Sequence, residues 1–176
     1  LDAGQVRREM DAQAYVGALL DHRGGHIHPL NLALGEAEAI RQLGGRIFEQ
    51  SAAVDIQHGD PATVVTAGGR VEANFVVMAG NAYLGELEPR LATKAMPCGS
   101  QVLATEPLSE EQASRLIPNN YCVEDCNYLL DYFRLSADRR LIYGGGVVYG
   151  ARDPSDIERL LVPKLLHTFP QLKDVN

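Results

Sequence analysis

Asn74-Phe75-Val76-Val77-Met78-Ala79, running into Gly80-Asn81-Ala82, is a continuous apolar run that ends in small residues. A run of that kind suits a strand covered on both faces, as in α/β proteins, and small residues at its exit let a flat ring system approach the backbone. Immediately before it, Ala62 to Thr66 and Arg70 to Ala73 read as a hairpin across Ala67-Gly68-Gly69, with a further strand at 53 to 57. Upstream again, Leu30, Ala33, Leu34, Ala37 and Ile40 recur at helical spacing behind Pro29, and Gly44-Gly45 supplies a left-handed stop, so a helix is expected over 30 to 43. Arg46 to Gln50 reads as the strand that follows it, and Ala14 to Leu20 as a short strand after a polar helical fragment over 1 to 13.

Beyond Gly80 the character changes. The polar, proline-containing passage Glu86 to Lys94 marks an expected boundary, dividing the chain into 1–90, part of a cofactor-binding domain, and 91–176, part of a substrate-binding domain. In the second part, strands are expected within 96 to 106 and near 121 to 124, 127 to 135 and 140 to 145. Ser109 with Gln112 forms a capping-box pattern for a helix closed by Pro118, and Asp153-Pro154 opens a last helix in which Pro163 predicts a kink. The fold class is α+β / α/β: a helix plus β-meander, then a mixed sheet with flanking helices.

Composition narrows the functions. With 16 Lys and Arg against 23 Asp and Glu, the formal net charge is −7 and no basic stripe exists, which argues against nucleic-acid binding. No apolar run reaches the roughly 20 residues needed to cross a bilayer, so no membrane association is expected, and three cysteines without a secretion signal point to free thiols in the cytoplasm.

Few motifs carry chemistry by themselves. Gly144-Gly145-Gly146-Val147-Val148-Tyr149-Gly150 departs from GxGxxG, because Tyr149 stands where the third glycine belongs; the alternative is a bend where backbone closely approaches another surface. His22, His26 and His28 lie close in sequence but lack further ligands at metal spacing, and Cys122 and Cys126 have no second cysteine pair, so surface histidines and buried thiols are expected rather than a metal site. Tyr128, Leu130, Tyr132 and Arg134 alternate along a predicted strand; an arginine beside phenols can clamp a carboxylate, and a solvated strand face is the plainer reading. No hydrolase motif is present.

Gly24-Gly25-His26-Ile27-His28-Pro29, the helix to Gly44-Gly45, Val71 to Tyr83, Asn127 to Arg134 and Leu141 to Gly145 together resemble the middle of the FAD-dependent amine and amino-acid oxidoreductases of the D-amino-acid oxidase superfamily. The resemblance covers nearly the whole chain. It implies an internal segment of a two-domain flavoenzyme, with FAD as cofactor and a small-molecule amine, such as a gamma-glutamylated polyamine, as substrate. It further implies that Ala53 and Val54 lie by the adenine, that Gly80, Asn81 and Ala82 approach the flavin, and that Tyr128, Tyr132 and Arg134 are substrate-side; no catalytic residue is nominated. The family's GxGxxG unit is not in these residues, so the segment alone is expected to hold no FAD, and its uncovered surfaces are expected to favour a dimer. A glycine- or sarcosine-type oxidase and a stand-alone α+β ligand-binding or interaction module are the alternatives.

Overall fold

The computed structural model describes residues 1–150, 152, 154 and 156–175. Helices α1 (Ala3–Glu9), α2 (Pro29–Gln42), α3 (Pro89–Ala92), α4 (Glu110–Leu116) and α5 (Ile157–Thr168) alternate with strands β1 (Ala53–Gln57), β2 (Ala62–Thr66), β3 (Gly69–Ala73), β4 (Cys98–Ala104), β5 (Val123–Glu124), β6 (Tyr132–Leu135) and β7 (Leu141–Tyr149). The chain forms two compact units, Ile27–Pro97 and Leu1–His26 together with the residues from Cys98 onward. The first 26 residues therefore fold with the later part of the chain, and the division falls at Pro97 rather than near 90.

In the unit Ile27–Pro97, α2 begins with Pro29 at its first position and His28 as cap, whose Nδ1 accepts the Asn31 N–H at 3.2 Å. It ends in a Schellman motif: Gly44 donates to the Arg41 carbonyl, Gly45 to the Ile40 carbonyl, and Gly44 takes φ +84°. A Cβ on Gly45 would run into Ile40, so both glycines of the stop are needed. Strands β1, β2 and β3 make an antiparallel meander with a two-residue turn at Ala67-Gly68.

Two sequence expectations fail here. Arg46 to Gln50 and Asn74 to Ala79 are not strands, and Phe75 and Val77 are 89% and 88% exposed. A strand needs a neighbour for its backbone donors and acceptors, and among the described residues no strand pairs with either segment.

The passage expected to be a boundary is tied down instead. Glu88 caps α3 and is nearly buried; Arg90 grips it with Nε at 2.8 Å and Nη2 at 3.0 Å, and His58 Nε2 lies 2.9 Å away. The Arg90 contacts, helped by His58 and opposed by burial, hold the carboxyl down to about 2. A carboxyl lowered on folding stabilises the fold above its ordinary value of 4.5, and that contribution is lost as pH falls from there through about 2. Glu88→Gln is expected to flatten the acid limb of the urea-midpoint profile; an unchanged limb would contradict this.

In the other unit, strands run in the order β4-β7-β6-β5, all antiparallel. The expected helix plus meander and the expected sheet with flanking helices are thus both present. Alternation sends Leu103, Phe133, Leu135, Leu141 and Tyr143 to one face, where Val6 of α1, Leu116 of α4, Leu165 of α5 and Phe169 close the core. Phe133 is its centre, parallel to Tyr143 at 5.8 Å between centroids and edge-on to Phe169 at 5.0 Å. The capping boxes Asp2–Gln5 on α1 and Ser109–Gln112 on α4 both form.

Other expectations are corrected. Ala14 to Leu20 contributes one isolated bridge, Asp2 with Gly17, not a strand. The strand expected from 127 begins only at Tyr132, because the Asp125 carboxylate takes the backbone N–H of Asn127 and Asp131 and folds the intervening residues into a turn. The expected helix start at Asp153 lies outside the described residues; α5 is capped by Asp156, which accepts from Arg159 N, and continues across Pro163. All three cysteines are exposed rather than buried.

Candidate functional site

The opposite face of the four-stranded sheet carries Ser100 and Val102 from β4, Tyr132 and Arg134 from β6, and Ile142 and Gly144 from β7. Tyr132 stands opposite Gly144 in the β6–β7 ladder. A Cβ on Gly144 would run into the Tyr132 ring, so glycine lets the ring lie across β7 and its hydroxyl share a hydrogen bond with Ser100 Oγ on β4 at 2.7 Å. The glycine run expected to be a bend is therefore part of a strand, and at Gly144 the approaching surface is an aromatic ring.

Two residues along β6, Arg134 is half-buried and donates from Nη1 to His26 Nδ1 at 2.9 Å. His26 Nε2 lies 2.9 Å from the Asn120 carbonyl. Because guanidinium only donates and carbonyl only accepts, the imidazole is neutral with its proton on Nε2. Of the three histidines considered as a metal cluster, His28 caps α2 and His26 links Arg134 to Asn120.

The structure brings Tyr132 and Arg134 together on one face and leaves Tyr128 apart, in the Asp125 turn and 97% exposed. Leu130 is likewise outside β6. Neither His26 nor Ser100 was legible as a partner, since 108 residues separate His26 from Arg134 and 32 separate Ser100 from Tyr132.

On the core side, a cavity of about 820 Å³ is lined by Tyr15, Tyr121, Asp131, Lys164 and Thr168 among others. Lys164 Nζ donates to Asp131 Oδ1 at 2.6 Å, and a Cβ on Gly145 would strike that carboxylate. Burial pushes Tyr15 up to about 12 and Tyr143 upward as well. Both phenols therefore stay protonated at neutral pH.

In the unit Ile27–Pro97, a β-bulge between Ala53 and Asp55 takes Val54 out of the β1–β2 ladder. Ala53 and Val54 line a concavity of about 500 Å³ with Leu84, Leu87 and Pro89. Asp55 and Glu86 complete its lining. Gly80 precedes a 3₁₀ turn over Asn81–Tyr83, in which Asn81 takes φ +47°.

A family model described as "FAD dependent oxidoreductase" (DAO) matches residues 1–176. The chain belongs to this family of FAD-dependent oxidoreductases. It is 68% identical over 176 residues to gamma-glutamylputrescine oxidoreductase of Escherichia coli (strain K12), covering 99% of this chain and 41% of that protein. It is 38% identical to the probable oxidoreductase OrdL of Haemophilus influenzae, again over 99% of this chain and 41% of the relative. The DAO-family chain therefore spans about two fifths of the length of these relatives. Its fold is similar to that of glycine oxidase from Geobacillus kaustophilus, with a TM-score of 0.78 at 21% identity over 100% of this chain and 47% of that one. Among the described residues no helix is long and apolar enough to cross a membrane.

Proposed function

We propose that this chain is part of an FAD-dependent oxidoreductase that oxidises the C–N bond of an amine such as gamma-glutamylputrescine. Ile27–Pro97 supplies part of the FAD-binding side, with Ala53 and Val54 at the adenine and Gly80, Asn81 and Ala82 toward the flavin. The four-stranded sheet supplies the substrate side. The observation that carries this reading is the Tyr132–Arg134 row on the sheet face opposite the core, in a chain 68% identical to an enzyme of that name.

Bound FAD supplies the chemistry, accepting a hydride from the carbon beside the amine nitrogen. The chain's own residues bind and orient. A gamma-glutamyl group presents a carboxylate, and a guanidinium pairs with it through parallel N–H donors, which gives direction as well as affinity. Tyr132, held across β7 by Ser100, offers a rigid aromatic wall beside that carboxylate. The three free thiols fit a cytoplasmic enzyme.

The 176 residues contain no GxGxxG, and amides at a helix N-terminus in that motif provide much of the grip on a pyrophosphate. Purified alone, this chain is expected to lose flavin absorbance on gel filtration, whereas the full-length enzyme retains it. A chain that stays yellow would contradict this. The glycine-oxidase likeness concerns the fold, so the activity test sets gamma-glutamylputrescine against glycine and sarcosine.

A further inference from the structure

We infer that Ser100 is a positioning residue for Tyr132, and that the hydroxyl pair they form recognises a neutral carbonyl, the amide of a gamma-glutamyl link. The inference rests on the reading of this sheet face as the substrate side. Ser100 stands on β4 and Tyr132 on β6, with β7 between them. Neighbouring strands lie about 4.8 Å apart, so the gap is about 10 Å, which a phenol reaching from one side and a short hydroxyl from the other can close. Two features of β7 allow it. Gly144 leaves the room that the Tyr132 ring fills, and Gly146 takes φ +69° where the β4–β7 register slips between Gly99 and Gln101. The slip leaves Ser100 outside the ladder, and a bulge of this kind re-aims a side chain.

Hydrogen counting gives the pair a direction. Each hydroxyl carries one hydrogen, and the 2.7 Å bond between them uses one. Among the described residues neither hydroxyl has another partner, so one hydrogen is left for a bound acceptor. When Ser100 donates to the phenol oxygen, that bond strengthens the phenol as a donor in its turn. An uncharged pair matches an uncharged acceptor, since a carboxylate set against it would lose water without gaining a countercharge. The amide carbonyl of a gamma-glutamyl group is such an acceptor, and glycine and sarcosine have none.

The test uses full-length, FAD-loaded enzyme and two probes: gamma-glutamyl-n-butylamide, which keeps the glutamyl carboxylate and the amide and lacks the distal amine, and its trans-alkene isostere, in which a carbon–carbon double bond replaces the amide. In calorimetric titration, Tyr132→Phe is expected to weaken the amide about tenfold and Ser100→Ala about fivefold, with the isostere unmoved by either. The double variant should bind the amide no more weakly than Tyr132→Phe alone, because Ser100 acts through the phenol, and Ser100→Thr should recover most of the Ser100→Ala loss. Equal weakening of both probes, a Ser100→Ala loss that persists in full beside Tyr132→Phe, or no loss at all would overturn the inference. Turnover of gamma-glutamylputrescine by the unmodified enzyme is measured separately. Its absence, with the Ser100–Tyr132 coupling on the amide intact, would remove the oxidase reading and leave the pair standing.

Discussion

Phe133→Ala is expected to destabilise the sheet-containing unit by about 3–5 kcal/mol, the usual cost of removing a large buried aromatic ring and leaving a cavity. Phe133 is 2% exposed and touches rings on three sides: Tyr143 parallel at 5.8 Å, Tyr15 at 6.3 Å and Phe169 edge-on at 5.0 Å. Those neighbours come from the first 26 residues, from β7 and from the end of α5, so no single element can move in to fill the space. A loss of this size is a large fraction of the roughly 5–15 kcal/mol that a domain commands. Urea unfolding followed by near-ultraviolet tyrosine dichroism measures it in the full-length protein. A cost below about 1 kcal/mol would mean that the site collapses freely and that the ring cluster is not the centre of this core. Phe133→Leu, which retains most of the apolar volume, is expected to fall between the two.

The second large effect concerns binding. Arg134→Met keeps the apolar stem and removes the guanidinium, and is expected to weaken gamma-glutamyl-n-butylamide by about ten- to a hundredfold, the range given by hydrogen bonds to charged groups of about 1.5–3 kcal/mol. Binding of the α-methyl ester of that amide, which lacks the negative charge, should change little. Arg134→Lys restores charge but not the planar fork, so partial recovery is expected. Unfolding of Arg134→Met, followed in parallel, should show a small change, because the side chain is only half-buried and lies outside the ring cluster. An unaltered affinity for the acid would remove Arg134 from the substrate side.

What the sequence disclosed was mainly local. The Pro29 start and Gly44-Gly45 stop of α2, the Ser109–Gln112 box and the β2–β3 turn are each specified within a few residues, and each forms as expected. Arg46 to Gln50 and Asn74 to Ala79 have the composition of strands, yet pairing depends on a neighbour that composition does not supply. The Tyr128 to Arg134 alternation broke for a local reason of another kind, since the Asp125 carboxylate competes for the backbone donors of Asn127 and Asp131. Tyr132 and Arg134 were legible as a pair because alternation holds within β6. The residues that orient them were not, because Ser100, Gly144 and His26 meet them only through register and long-range packing. Gly144 could be read as a place of close approach, but the identity of the approaching ring is a property of the ladder.

The central claim, that the Tyr132–Arg134 face belongs to a flavin-dependent amine oxidase selective for gamma-glutamylated substrates, is met most directly by anaerobic mixing of the full-length flavoprotein with one equivalent of gamma-glutamylputrescine, glycine or sarcosine. Rapid bleaching of the visible flavin band is expected with gamma-glutamylputrescine, and slow or no bleaching with the other two. Bleaching by glycine or sarcosine at equal or greater rate, or an oxidised flavin that persists with all three, would contradict it.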